Sequence, residues 1–482
     1  MLAVIGGEQT VPLSPLLAAL QSVVLSCPLT VVRLMELLGS PREVLRNEAL
    51  LMLAGLTSGC EDISKLAAFE GAFDKLLGLC LAEGGLVSGG VVVQDALELL
   101  NNMLRDNQAN QRLFREMGHM QQIPKLLHYQ AAPAAGPGGV PGAPLVDPAF
   151  LAAAGAAAAA AAGVSAAAAA GARAVGAAAA AAAASVVPQL PVQAAANYLS
   201  LLETTRLLMA PPHGATADLQ QQEAASRLAA QQAFGHLGLL QVLLGLAVNA
   251  GKIPHAVVRA QALLCLADWL AEHPAGQQAV GGSGVEVAGG KRMPALHVVL
   301  KIALQAWDTR ERSGAAAVLA GFCRANPEGQ LTLISTMAPG VGKGPGEEVS
   351  WGQELVGAML GGPEGPEGWK LAARAAGVLQ QLLVGNVAAQ ERLLGLPLAM
   401  GQSGVVMLGR CMSGVSHGLQ QGDVPGLALA ATLLRLLVVW AHGSTPTVTA
   451  LLEGSWHLDL LVGVVGAKGE VGRDNVHVAG KA

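Results

Sequence analysis

The sequence predicts an all-α protein, a superhelix of stacked helical repeats, on three observations. Composition comes first: 52% of residues are hydrophobic but only 3% aromatic. Ala and Leu, which suit helices, outweigh the β-branched and aromatic types that strands prefer. Spacing comes second. Val93, Ala96, Leu97, Leu100 and Leu104 fall at i, i+3, i+4, i+7 and i+11, one stripe of a helix, whereas strand-like alternation does not recur. The third is a returning pattern: LLNNMLRDNQANQ (Leu99 to Gln111), CLADWLAEHPAGQ (Cys265 to Gln277), VLAGFCRANPEGQ (Val318 to Gln330) and VLQQLLVGNVAAQ (Val378 to Gln390). Each carries a paired apolar ridge, then Asn or His, then Gln.

A helix pair with such a ridge cannot bury its own apolar face, and a chain of 482 residues is too long for one compact core. Stacked neighbours solve both problems. Asn107, His273, Asn326 and Asn386 are expected where a helix ends, tolerating unusual backbone or bonding loose carbonyls. Gln111, Gln277, Gln330 and Gln390 open the next apolar run. The period, roughly fifty to sixty residues, is a stretched armadillo or HEAT spacing.

In chain order, residues 1–130 read as armadillo-like repeats without a signal sequence ahead of them. Residues 131–191 are Pro- and Gly-rich, then nearly continuous Ala, with no amphipathic face to dock; a disordered insertion looping out between two repeats is expected. Repeats resume over 192–466, broken by a Gly/Pro-rich loop from Pro339 to Glu348, and residues 467–482 form a polar tail. Two segments invite a membrane reading. The Ala tract lacks the Leu, Ile and Phe that drive insertion, and LALAATLLRLLVVWA carries Arg435 in its middle. A soluble protein is expected.

The 29 basic and 34 acidic residues nearly cancel, at −5. That leaves no clustered cation footprint for nucleic acid and no polybasic stripe for anionic lipid, so the expected partners are proteins. Cys27, Cys60, Cys80, Cys265, Cys323 and Cys411 form no C-x-x-C pair and read as reduced thiols packed as small hydrophobes. Asp268, Glu272 and His273 read as a solvated helix end rather than a metal site, and no cofactor is expected. GVSHG (Gly414 to Gly418) matches the nucleophile-elbow pattern at Ser416, with Asp423 and His442 following. That chemistry needs a strand–turn–helix, but no β/α alternation surrounds the motif and LQQGDVPG after it reads as a loop. GVGKGPG (Gly340 to Gly346) lacks the Lys-Ser/Thr ending of a phosphate cradle. The reading is not an enzyme. Candidate protein-binding residues are instead Arg42, Glu43, Arg46 and Asn47, which open one helix with alternating charge, and Asn101, Asn102, Arg105 and Asp106, which interrupt a ridge with bonding groups. For any one of them the plain alternative is a solvated face with i,i+4 pairing.

From Ser40 to Gly85, SPREVLRNEALLMLAGLTSGCEDISKLAAFEGAFDKLLGLCLAEGG resembles the head of the general vesicular transport factor family, the Uso-type golgin tethers. The likeness continues through VVVQDALELLNNMLRDNQANQRLFREMG (Val91 to Gly118) and, more weakly, over most of the chain from about Val31 to Val465 apart from the Ala-rich insertion. The resemblance implies an armadillo-like head acting in ER-to-Golgi and intra-Golgi vesicle transport and membrane fusion. It implies peripheral association with the cytosolic face of the Golgi membrane, through partners: a Rab-type small GTPase, other golgins and SNARE machinery. Family members also dimerise through a long coiled coil and end in an acidic tail. This sequence shows neither a heptad segment nor that tail and begins partway along the family's repeats, so a fragment or reduced form is expected. The alternative implied by the repeats alone is a generic armadillo-type adaptor.

Overall fold

The computed structural model describes residues 15–27, 29–128, 190–210, 216–248, 253–287, 292–341, 349–360, 366–398, 403–454 and 456–466. They build triplets of helices, the second with a short fourth helix inserted. The first triplet is α1 (Pro15–Ser26), α2 (Leu29–Leu37) and α3 (Glu43–Thr57). The second is α4 (Glu61–Phe69), α5 (Ala72–Ala82), the short α6 (Gly85–Ser88) and α7 (Val91–Leu104). The third is α8 (Gln108–Glu116), α9 (Gln122–Leu127) and α10 (Val192–Leu207). The fourth is α11 (Ala217–His236), α12 (Leu239–Val248) and α13 (Ala256–Leu270). Then come α14 (Pro274–Gly282), α15 (Ala295–Gln305) and α16 (Thr309–Cys323), followed by α17 (Pro327–Ser335), α18 (Trp351–Leu360) and α19 (Pro366–Leu383). The seventh is α20 (Val387–Gly395), α21 (Gly404–Gln421) and α22 (Val424–Ala441), and α23 (Thr445–Glu453) and α24 (His457–Gly466) continue the pattern.

The last helix of each triplet is the core element. α3, α7, α10, α13, α16, α19 and α22 pack in succession, each burying its ridge: Leu50 and Leu53, Leu97 and Leu100, Leu263 and Leu266, Leu379 and Leu382, Leu433 and Leu436. α13 and α16 cross closely, and a Cβ at Gly321 would lie 2.6 Å from the Ala267 carbonyl oxygen. Only glycine fits there.

The recurring motif does more than mark helix ends. The four core helices that carry the motif stop at a residue in the left-handed region: Asp106 (φ 53°), Glu272 (φ 59°), Ala325 (φ 54°) and Gly385 (φ 67°). The Asn one position later does not end that helix; it begins the next. Asn107, Asn326 and Asn386 accept from the backbone N–H of Asn110, Gly329 and Ala389, as N-caps. His273 makes no such bond, and its Nδ1 lies 3.2 Å from the Trp269 carbonyl instead. The Gln that follows, buried at 277, 330 and 390 and half-buried at 111, bonds core-helix carbonyls. Gln277 donates to Leu270 O of the preceding core helix and, 2.8–3.2 Å away, to Gly321 O and Arg324 O of the succeeding one. Gln390 bridges Leu383 O and Val439 O, and Gln330 caps Gln381 O and Val384 O. Gln111 turns back to Leu104 O. Gln21 and Gln231, outside the motif, serve the ends of α3 and α13 in the same way. Helix termini orphan carbonyls, and here a side chain from the neighbouring element satisfies them.

Several sequence expectations need correction. A small antiparallel sheet, Gly284–Glu286 against Arg292–Pro294 with Val285 opposite Met293, interrupts the all-helical pattern, and three residues per strand are too few for alternation to register. Cys80, Cys265, Cys323 and Cys411 are buried, and burial pushes the thiols of Cys80, Cys323 and Cys411 up to about 12; Cys60 is half-buried, however, and Cys27 is exposed. The insertion expected over 131–191 lies outside the described residues up to 189. It falls within the third triplet, between α9 and α10, which pack against each other. The polar tail over 467–482 and most of the Pro339 to Glu348 loop also lie outside. Among the described residues one unbroken helix, Val424–Ala441, is long and apolar enough to cross a membrane, with a mean hydropathy of 1.9. It is α22, whose Leu429, Leu433, Leu436 and Trp440 are buried in the stack.

Candidate partner-docking surface

The first candidate cluster sits where α3 begins. Arg42 is its N-cap residue and exposed, with its backbone N–H donated to Ser40 Oγ, and Glu43 is exposed beside it. Arg46 is different: one turn further on, it is half-buried and pairs with Glu83 at 2.7 Å, tying α3 to the end of α5. Its side chain is 15% exposed and its Nε is buried without a partner, so Arg46 is committed to the fold. Asn47 is half-buried, with an unpartnered Oδ1.

The second cluster lies at the far end of α7 and divides the same way. Asn101 is buried rather than surface-exposed. Its Nδ2 donates to Ser200 O at 2.9 Å and its Oδ1 accepts from Thr204 Oγ1 at 2.6 Å, both on α10. Asn102 donates to Ala54 O of α3, and Arg105 pairs with Glu203 of α10. Asp106 is exposed and holds the left-handed position. With Gln193 donating to Gln94 and Asn197 to Leu86 O and Gly89 O at the end of α6, the bonds to α10 make a polar seam along α6 and α7. The ridge interruptions that suggested binding are thus spent largely on joining helices separated by the insertion. Nor do the clusters meet: Ala54, where Asn102 lands, is eleven residues along α3 from Glu43, roughly 16 Å at helical rise.

The other sequence candidates are resolved by geometry. Ser416 lies within α21, its Oγ accepting from Gln420. Val405 to Leu408 before it and most of LQQGDVPG after it are helix, broken only at Gly422 (φ 66°) and at Asp423, which N-caps α22. No strand delivers the serine. Asp268 pairs with Arg206 at 2.6 Å, His273 is buried, and among the described residues no group of three or more His, Cys, Asp or Glu is placed to hold a metal.

Sequence reasoning missed one concave site. α11 runs for 20 residues where α14, α17, α20 and α23 have nine. It overhangs α8 to form a cleft of about 890 Å³. Gln108 donates to Glu223 and Arg115 to Ser226 across it. The signal was legible as length: ADLQQQEAASRLAAQQAFGH has no Gly or Pro before its penultimate residue.

Fold and surface together define an armadillo-like helical-repeat scaffold, its polar side chains tying helices together and its exposed charges at helix ends. No protein-family model matches the chain. It is similar to Golgin candidate 6 of Arabidopsis thaliana, 28% identical over 472 residues, and to general vesicular transport factor p115 of Homo sapiens, 27% identical over 452; each alignment covers 92% of this chain. Intracellular protein transport protein USO1 of Saccharomyces cerevisiae is 38% identical over 113 residues. A crystal structure of Uso1-1 superposes with a TM-score of 0.64 at 18% identity, covering 92% of this chain and 59% of that one, a likeness of fold. The chain is thus similar in sequence to the p115 and Uso1 transport factors, and in fold to Uso1. It spans 44% of the plant golgin's length and 38% of human p115.

Proposed function

We propose that this chain is the partner-docking scaffold of a vesicle-tethering protein in ER-to-Golgi and intra-Golgi transport and membrane fusion, held at the cytosolic face of the Golgi through its partners. The observation that carries this reading is similarity running through 92% of the chain to proteins named as vesicular transport factor and golgin. The stack supports it: a rigid superhelix offers extended surface without chemistry of its own. In this reading a Rab-type small GTPase, golgins and SNARE machinery dock reversibly, and dimerisation in a longer protein multiplies modest affinities through avidity.

Within the block from Arg42 to Glu116, the exposed Arg42 and Glu43 are the proposed contact points. Arg46 is not a clean probe, because an acidic residue in its place would face Glu83. The test is calorimetric titration with an early-Golgi Rab-type GTPase, loaded with a GTP analogue and then with GDP. Preference for the GTP form, weakened roughly fivefold or more by Arg42→Glu at unchanged melting temperature, is the expected result. No binding to either form shifts the reading to a generic armadillo adaptor.

A further inference from the structure

Trp307 stands on the loop between α15 and α16 and is 99% exposed, whereas Trp269, Trp351 and Trp440 are buried in the stack. Its indole adds nothing to the core. The backbone beneath it is nonetheless held fast. Arg312, at the start of α16, donates to Ala306 O and Trp307 O at 2.6 and 2.7 Å, and Arg374 of α19 donates to Leu304 O at 2.7 Å. Asp308, the next residue, caps α16.

Charge around the indole does not balance. Asp308 is taken by Arg310, Glu311 by Arg259 and Glu367 by Lys370. Among the described residues no carboxylate pairs with Arg312 or Arg374. The Nε of Arg312 and the Nε and Nη2 of Arg374 carry no hydrogen bond there and are open to solvent. The carbonyl end of α15 offsets only about half an elementary charge. Burial and the nearby Arg312 hold the Arg374 guanidinium below its ordinary pKa, opposed by Glu367. Surplus positive charge thus remains beside an exposed indole, in a chain whose net charge is −5.

We propose that Trp307, Arg312 and Arg374 form a docking site for an acidic segment of a partner protein, which packs an apolar side chain on the indole and sets Asp or Glu carboxylates on the two guanidiniums. Trp and Arg are the residue types that most often anchor protein interfaces, and an indole brings roughly 150–250 Å² of surface to bury. A carboxylate at Arg374 would take the Nε and Nη2 protons side by side, a charge-assisted contact that also relieves the repulsion from Arg312. An anionic lipid surface fits less well. Two cations fall short of the roughly four to eight of a polybasic patch, and the exposed Glu367 would face the headgroups. The inference rests on the docking reading and gives it a further contact point and a partner chemistry.

Fluorescence anisotropy with a short fluorescein-labelled peptide of alternating leucine and glutamate tests it, against its leucine–glutamine counterpart. The acidic peptide is expected to bind, with affinity falling as salt rises, and the glutamine peptide at least roughly tenfold more weakly. Trp307→Ser should lose the same factor at unchanged melting temperature, because the indole supports no packing. Arg374→Gln should weaken binding and Arg374→Lys restore most of it. Position is read by ¹⁹F NMR of the chain carrying 5-fluorotryptophan, where the signal displaced in Trp307→Phe is that of Trp307. The acidic peptide should move that signal and leave those of Trp269, Trp351 and Trp440 in place. Equal binding of both peptides, no binding by the wild-type chain, unchanged binding by Trp307→Ser or an unmoved Trp307 signal overturns the proposal. So does a Trp307 signal that moves with phosphatidylserine vesicles in place of the peptide. GTPase titration of Trp307→Ser separates the two readings, since retained GTPase binding with lost peptide binding leaves the tether reading intact.

Discussion

At the scale of single residues, the motif Asn-x-x-x-Gln is a device for satisfying backbone. Both residues could be seen in the sequence at fixed spacing, but their roles could not. Helix-end asparagine is as consistent with closing one helix as with opening the next, and only the positive φ at Asp106, Glu272 and Ala325 decides it. Glutamine reaching across to another repeat leaves no local trace at all. Replacing Gln277 by Met keeps the volume but strips the donor from three carbonyls, Leu270, Gly321 and Arg324. A loss of about 3 kcal/mol in urea denaturation is expected, and a loss under about 1 kcal/mol would show that water serves those oxygens equally well. His273 offers the opposite experiment. Burial holds the imidazoles of His273 and His119 below their ordinary pKa, the latter despite Asp74 nearby. The unfolded chain therefore binds protons that the fold refuses, so this part of the stability is complete above an unfolded pKa of about 6.5 and is lost as pH falls through that value toward the lower folded ones. His273→Asn installs the residue that at Asn326 both donates to Phe322 O and caps Gly329. It should raise stability at pH 7 by about 1 kcal/mol and flatten the decline toward pH 5, measured as urea midpoints at the two pH values.

Among elements, the pairing of α7 with α10 carries the most information: an insertion looping out brings its flanks together, but the bonds that join these two helices leave no pattern in the sequence. The two helices lie side by side although α8, α9 and the Pro-, Gly- and Ala-rich residues 131–191 come between them in the chain. Asn101 joins them from within, and a charged pair, Arg105 with Glu203, closes the seam at the surface. Asn101→Ala leaves Thr204 Oγ1 and Ser200 O with one partner fewer and should cost roughly 1–3 kcal/mol. A cycle with Thr204→Val should show positive coupling, and strict additivity would deny that the two act together. The ordinary core is simpler. Leu383 is fully buried, so Leu383→Ala is expected to cost about 2–5 kcal/mol in thermal or urea unfolding, and a shift of under a degree in melting temperature would count against its place in the ridge. Ridges such as this were legible from periodicity alone. The short sheet near Gly284 was not, since three residues per strand give no alternation, and the length of α11 showed only as a stretch without Gly or Pro.

For the molecule as a whole, stability is expected to be shared out repeat by repeat, as nearest-neighbour terms along a line. Because α9 and α10 already touch, replacing residues 131–189 by a short Gly/Ser linker should change unfolding free energy by less than about 1 kcal/mol. A larger loss would assign the insertion a structural part. The glutamines that span successive core helices also have a mechanical meaning. Tension applied along the superhelix axis draws one core helix away from the next, and at Gln277 and Gln390 a single amide is anchored to both. Such a joint resists until its bonds break together. A chain pulled from its ends would then lengthen by abrupt release of one triplet after another, behaving less like a spring than like a row of latches.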